Sequence, residues 1–204
     1  AFVATLFAVS SCHMWRLRYK DATIMSKYHS VQLKPKIDYF AYEGRKIRYF
    51  SLGSDSLPTI IMIHGAPSSV SVFDKIIMDS LLNRKAQLIT YDRPGYGFSG
   101  LGNSLPSIEK QADVAAALID RLLPSKPFLI FGVSYGGPIA CRLASRYGSR
   151  VRGIVLGAPA LAPGEERTFK ISYPMTWWAT KWIFPKMLTV ASEEKFAHRA
   201  ELEK

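Results

Sequence analysis

The hydrophobic positions of this chain change period several times, and the changes divide it into elements. From Ile37 to Tyr42 and from Arg45 to Phe50, aromatic and β-branched residues flank Glu43-Gly44, the pattern of a β-hairpin closed by a glycine-containing turn. Pro58 introduces Thr59-Ile60-Ile61-Met62-Ile63, a continuous apolar run of the kind buried on both faces of a parallel sheet. Between Val72 and Asn83 the period becomes helical, with Phe73, Ile76, Ile77, Leu81 and Leu82 on one face. The alternation then repeats. A strand is predicted over 86–91, a helix over 108–123 started by Ser107, a strand over 128–131, a helix from Ser134 to Tyr147 and a strand over 151–156. Short links between alternating strands and helices predict an α/β fold: a mostly parallel sheet with helices on both faces. The opening hairpin adds antiparallel strands at the edge.

The flanks of this core, residues 36–160, read differently. Residues 13–35 are polar and read as a linker. Beyond Pro159 come Pro163, Pro174 and Pro185, with an aromatic stretch holding Phe169, Tyr173, Trp177, Trp178, Trp182 and Phe184. No strand signal returns, and residues 161–204 read as the start of a helical cap. The chain opens Ala1-Phe2-Val3-Ala4-Thr5-Leu6-Phe7-Ala8-Val9-Ser10-Ser11-Cys12. Bilayer crossing takes ~20 apolar residues, so this run is too short, but it has the length of the apolar region of a secretory signal. Val9-Ser10-Ser11-Cys12 is similar to a bacterial lipobox, which makes Cys12 a candidate for lipidation and the protein membrane-associated or exported. Two other readings stay open. One is an uncleaved anchor whose first half is missing, and the other is an apolar segment buried in a cytoplasmic protein. Arg16, Arg18 and Lys20 follow the run, and each contributes about 1 kcal/mol of attraction near an anionic lipid surface.

Charge changes the picture little. The formal net charge is +11, and residues 1–50 carry +6 of it, so the excess sits in the N-terminal stretch rather than on a folded face. With no accompanying signature, a nucleic-acid partner is not expected. Cys12 and Cys141 suggest neither a disulfide framework nor a metal site, and Cys141, among Ile139, Ala140 and Leu143, reads as a small buried thiol. No cofactor is expected.

The chemistry lies in three ordered segments. Gly132-Val133-Ser134-Tyr135-Gly136 matches G-x-S-x-G, directly after a predicted strand and at the start of a predicted helix. A serine on a sharp strand-to-helix turn takes a strained backbone that only small neighbours permit, and the helix N-terminus aims N–H groups at any oxyanion formed there. His64-Gly65-Ala66-Pro67 ends the strand at 59–63, and Asp92-Arg93-Pro94-Gly95-Tyr96-Gly97-Phe98-Ser99 follows the strand at 86–91. Together these segments resemble the α/β-hydrolase family, with its H-G-x-P oxyanion turn, D-x-x-G-x-G-x-S loop and nucleophile elbow. The resemblance covers about residues 36–160. It implies Ser134 as nucleophile, the backbone N–H groups of Ala66 and Tyr135 as oxyanion donors, and Asp92 and Arg93 as ties for their loop. It also implies that His64 braces the oxyanion turn instead of serving as base, because the family's chain order is Ser, acid, His.

A serine hydroxyl needs a histidine to take its proton and a carboxylate to orient that histidine. His13, His29 and His198 do not stand at the family's position, and His198, in the charged stretch Glu193–Glu203, reads as a solvated surface residue. Glu165 and Glu166 read as an ordinary loop pair. The expectation is an N-terminal part of a hydrolase, inactive by itself, whose closing strands, acid and histidine follow Lys204. The alternative is a divergent, non-catalytic binding protein that keeps the elbow as a relic. Serine at the elbow favours acyl transfer to water, with an ester, amide or thioester of a small apolar molecule as substrate. Aspartate there would have pointed to dehalogenase or epoxide-hydrolase chemistry. Cofactor-free perhydrolysis or C–C cleavage is a third reading. The aromatic residues Trp177–Phe184 either line an apolar pocket or pack the cap on the core.

Overall fold

The computed structural model describes residues 18–162 and 170–202. Cys12 and its apolar segment lie outside the described residues, as do Glu165 and Glu166.

The hairpin forms as its pattern requires. Strands β1 (Lys36–Tyr42) and β2 (Arg45–Leu52) pair antiparallel, with Tyr42 opposite Arg45. Glu43 and Gly44 both take positive φ, 45° and 72°, the backbone of a two-residue turn whose twist matches that of the strands it joins. Four further strands follow: β3 (Thr59–Ile63), β4 (Gln87–Tyr91), β5 (Phe128–Val133) and β6 (Val151–Gly157). The sheet order is β1-β2-β4-β3-β5-β6, and β4-β3-β5-β6 is parallel.

Helices cover both faces, because strands apolar on both sides bury only when each face has a partner. On one side α1 (Asp21–His29), a 3₁₀ turn (Val70–Phe73) and α2 (Asp74–Ile77) pack Ile24, Tyr28, Val70, Phe73 and Ile77 against Phe50, Met62 and Leu88. On the other, α3 (Ile108–Leu122) and α4 (Gly136–Tyr147) pack Val114, Leu118, Ile139 and Leu143 against Ile61, Ile89 and Ile130. After β6 come α5 (Ser172–Thr176), a 3₁₀ turn (Lys181–Ile183) and the longer α6 (Lys186–Leu202). No described helix is long and apolar enough to cross a membrane.

Three expectations are corrected. The stretch read as a linker over 13–35 contains α1, whose few apolar residues suffice because Ile24 and Tyr28 are buried and polar ties do the rest. Tyr28 Oη donates to Asp74 Oδ1 at 2.7 Å, and Arg48 Nη1 donates to Asp21 Oδ1 and to the Tyr19 carbonyl, each at 2.9 Å. The helix expected over 72–83 is one 3₁₀ turn and one short α-helix. Asp79 Oδ1 accepts from the N–H groups of Leu81 (3.0 Å) and Leu82 (2.8 Å), a local alternative to helical bonding, and Leu81 ends up exposed. Cys141 is half-buried rather than buried.

Candidate active site

Ser134 stands at the end of β5, two residues before α4. Its φ is +51°, a conformation that costs a non-glycine residue on the order of 1–3 kcal/mol and persists only where surroundings over-determine it. They do here. The Ser134 N–H donates to the Gly157 carbonyl at 2.9 Å, and its carbonyl accepts from Gly137 (2.8 Å) and Ala160 (3.2 Å). The turn is also too tight for side chains nearby. A Cβ on Gly136 would collide with the Ile63 carbonyl, and one on Gly65 would lie 2.9 Å from Ser134 Cβ and 3.4 Å from Ser134 Oγ. The glycines at these positions are therefore demanded by contact. They also show that the His64-Gly65-Ala66 turn lies directly against the Ser134 side chain. Ser134 and Ala66 are half-buried, and Tyr135 is buried, its hydroxyl donating to the Pro106 carbonyl at 2.8 Å.

His64 is fully buried behind this turn. Its Nε2 accepts from the Arg93 N–H at 3.0 Å, so Nδ1 must carry the proton shared with the Gly65 carbonyl at 2.7 Å. Burial, with the Arg93 cation beside it, pushes its pKa well below the usual histidine value. Both ring nitrogens are spent on backbone, which leaves no lone pair for a proton from Ser134. The imidazole is a neutral brace.

The loop after β4 is held from two directions. Asp92 Oδ1 accepts from the Val70 N–H (3.0 Å), and Oδ2 from the Phe98 N–H (2.8 Å) and Arg48 Nε (2.8 Å). Arg93 turns the other way, and its Nε and Nη2 donate to the carbonyls of His64 and Gly65, both at 2.9 Å.

Sequence reasoning missed what lies beyond Arg93. Glu194, from α6, is fully buried and faces the guanidinium at 2.9 Å, and it also accepts from Tyr96 Oη at 2.7 Å and Gln111 Nε2 at 2.7 Å. Burial raises its carboxyl pKa, opposed by Arg93 and the two neutral donors. His198, expected at the surface, is instead buried. Its Nε2 donates to the Ala160 carbonyl at 3.0 Å, and its ring meets Tyr135 edge-on at 5.5 Å between centroids. Among the described residues no hydrogen bond joins His198 to Ser134. The signal that could have found both residues is periodicity: Met187, Val190, Ala191, Glu194 and His198, all buried on α6, follow helical spacing along one stripe.

Trp177, Trp178 and Trp182 are exposed. A cleft of about 410 Å³ runs between the loop after β4 and α6, lined by Leu101, Lys181, Trp182 and Thr189, and Ser134 is not part of its wall.

Comparison with known proteins agrees with this fold. A family model described as alpha/beta hydrolase fold matches residues 58–190. An uncharacterized hydrolase of Saccharomyces cerevisiae is 30% identical over 135 residues, which are 66% of this chain and 43% of that protein. A pimeloyl-[acyl-carrier protein] methyl ester esterase of Nitrosomonas europaea is 34% identical over 101 residues, 50% of this chain and 37% of that protein. Among solved structures, a bacterial membrane phospholipase A superposes with a TM-score of 0.61 at 18% identity, covering 98% of this chain and 74% of that one. The chain thus spans less than half the length of these two sequence relatives.

Proposed function

The chain belongs to the alpha/beta hydrolase fold family, and from that premise we propose that it is part of a serine hydrolase in which Ser134 attacks an ester-, amide- or thioester-type bond of a small apolar substrate. The observation that carries this reading is the left-handed backbone of Ser134, at +51°, on a strand-to-helix turn pressed against the Gly65-Ala66 turn. Strain of this kind gathers at functional sites, where it presents a side chain.

In the proposed reaction Ser134 Oγ bonds to the substrate carbonyl carbon while its proton passes to a histidine. The carbonyl oxygen becomes an oxyanion held by the N–H groups of Ala66 and Tyr135, with the first turn of α4 adding a favourable dipole. The leaving group departs with that proton, and water then hydrolyses the acyl-serine. His64 is not the base, since both its nitrogens are engaged. The base and its carboxylate are assigned to polypeptide following β6 and α6. This assignment is supported by the outer edge of β6, which is open among the described residues, and by the part-length match to relatives. On this reading residues 1–204 alone turn over no ester.

The esterase among the relatives supports acyl chemistry, and serine in place of aspartate argues against a dehalogenase-type alkyl-enzyme. A membrane contact through residues 1–20, with Cys12 as its lipid anchor, belongs to the same proposal, as does an exported or membrane-associated location. Its support is the apolar run followed by basic residues.

The test is covalent labelling. A fluorophosphonate probe should modify the full-length protein at Ser134 and residues 1–204 weakly, and Ser134→Ala should abolish turnover of short p-nitrophenyl esters. Equal turnover by wild type and Ser134→Ala would make the elbow a structural relic, and the binding-protein reading would replace this one.

A further inference from the structure

We propose that Glu194 is a positioning residue for the oxyanion turn, acting from α6 through Arg93. The inference rests on the reading of Ala66 as an oxyanion donor.

The network has a closed count. Arg93 has five N–H donors, and all are placed. Nε reaches the His64 carbonyl at 2.9 Å. Nη1 reaches Gln111 Oε1 at 2.6 Å and Glu194 Oε1 at 2.9 Å. Nη2 reaches the Gly65 carbonyl at 2.9 Å and Glu194 Oε2 at 3.1 Å. The carboxylate is equally filled, since Gln111 Nε2 adds a bond to Oε1 and Tyr96 Oη a bond to Oε2. Every member is buried. A buried ion pair seldom adds stability over an apolar pair of the same shape. What an apolar pair cannot do is hold two consecutive backbone carbonyls at fixed angles.

Those carbonyls matter because a peptide unit is planar and trans. The Gly65 carbonyl and the Ala66 N–H belong to one such plane and point in opposite directions. Fixing the carbonyl fixes the direction of the N–H that is to meet the oxyanion. Arg93 fixes it from one side and His64 Nδ1 from the other. Planar geometry alone does not hold the guanidinium in register, and Glu194 supplies that by gripping both Nη atoms. Because Glu194 lies on α6, the helix following the sheet is tied to the aim of a donor beside Ser134. A docked α6 and a correctly directed Ala66 N–H become one condition.

The experiment uses the full-length protein with Glu194→Gln, which keeps the shape of the side chain but presents one N–H₂ group to a cation. The expected result is a 10-fold to 100-fold loss of kcat on a p-nitrophenyl ester with KM changed less than about 3-fold, because an oxyanion donor acts in the transition state; outright loss of one costs about 10²–10³. Amide hydrogen exchange over residues 64–66 should accelerate at the same time. Exchange reads the positioning whether or not Ser134 proves to be the nucleophile, so failure of the hydrolase reading and failure of this one stay separate. Should Glu194→Gln not fold, the paired change Arg93→Met with Glu194→Leu removes both charges. It should fold and show the same faster exchange and lower kcat. Wild-type exchange and wild-type kcat in a folded variant of either kind overturn the proposal.

Discussion

His64 shows how much one buried residue can carry. It makes no bond to Ser134, yet its two nitrogens join the oxyanion turn to the loop after β4. A histidine kept neutral by burial has a pH signature. Its folded pKa lies well below the ordinary value, so on acidification the unfolded chain binds a proton that the folded chain refuses. Stability tied to this residue is fully present above about pH 6.5 and is lost as pH falls toward the folded pKa, by up to about 1.4 kcal/mol per pH unit. Glu194, whose carboxyl is raised, works in the opposite sense, so the informative quantity is a difference between proteins. His64→Gln should flatten the dependence of denaturation free energy on pH between about 6.5 and 5. Parallel slopes for wild type and variant in urea titrations across that range would count against a neutral brace.

At the scale of elements, the features hardest to foresee are helices held by polar contacts instead of apolar stripes. Helix α1 docks with two buried apolar residues and relies on Arg48, whose guanidinium is buried between Asp92 and Asp21. Arg48 also connects α1 to the loop that carries Arg93, because Asp92 accepts from Phe98 within it. Replacing Arg48 by Met removes the cation and leaves the Asp92 carboxylate buried with its backbone donors alone. Breaking one side of such a pair typically costs about 3–5 kcal/mol. We expect a loss near 3 kcal/mol, since the two backbone N–H groups still stabilise the anion. Denaturant midpoints at constant slope measure it, and a loss below about 1 kcal/mol would show that α1 docks by its apolar residues.

For the molecule as a whole, the open side of the sheet is the telling feature. Among the described residues strand β6 pairs only with β5, and along it Ile154 is 39% and Val155 59% exposed. Exposed apolar edge strands are templates for self-association. Val155→Lys in residues 1–204 should therefore reduce light scattering and dye binding at equal concentration. If further strands cover this edge in the full-length protein, the same substitution there should destabilise the fold, because a lysine would be buried without a partner. A full-length Val155→Lys protein as stable as wild type would place β6 at a true edge and remove a main support for assigning the acid and base to later polypeptide.

What the sequence determined by itself was local. The hairpin, the parallel strands, α3, α4 and the elbow were legible because each is written in a short period: alternation, continuous apolar runs, helical stripes, and glycines where backbones touch. Ser134, Ala66 and Tyr135 were named through the family resemblance that three motifs carry, and the fold sets Gly65, next to Ala66, against the Ser134 side chain. The short helix at 74–77 was misjudged because the side chain of Asp79 competes for N–H groups, which hydrophobic spacing does not record. Glu194 was missed and His198 misread for a different reason. A charged or titratable residue on a helix is ordinarily solvated, and only the arrival of Arg93, Tyr96 and Gln111 from distant parts of the chain makes burial of the Glu194 carboxylate bearable. Whether a polar side chain is a surface residue or the centre of a buried network depends on partners dozens of residues away, and the tertiary structure alone assembles them.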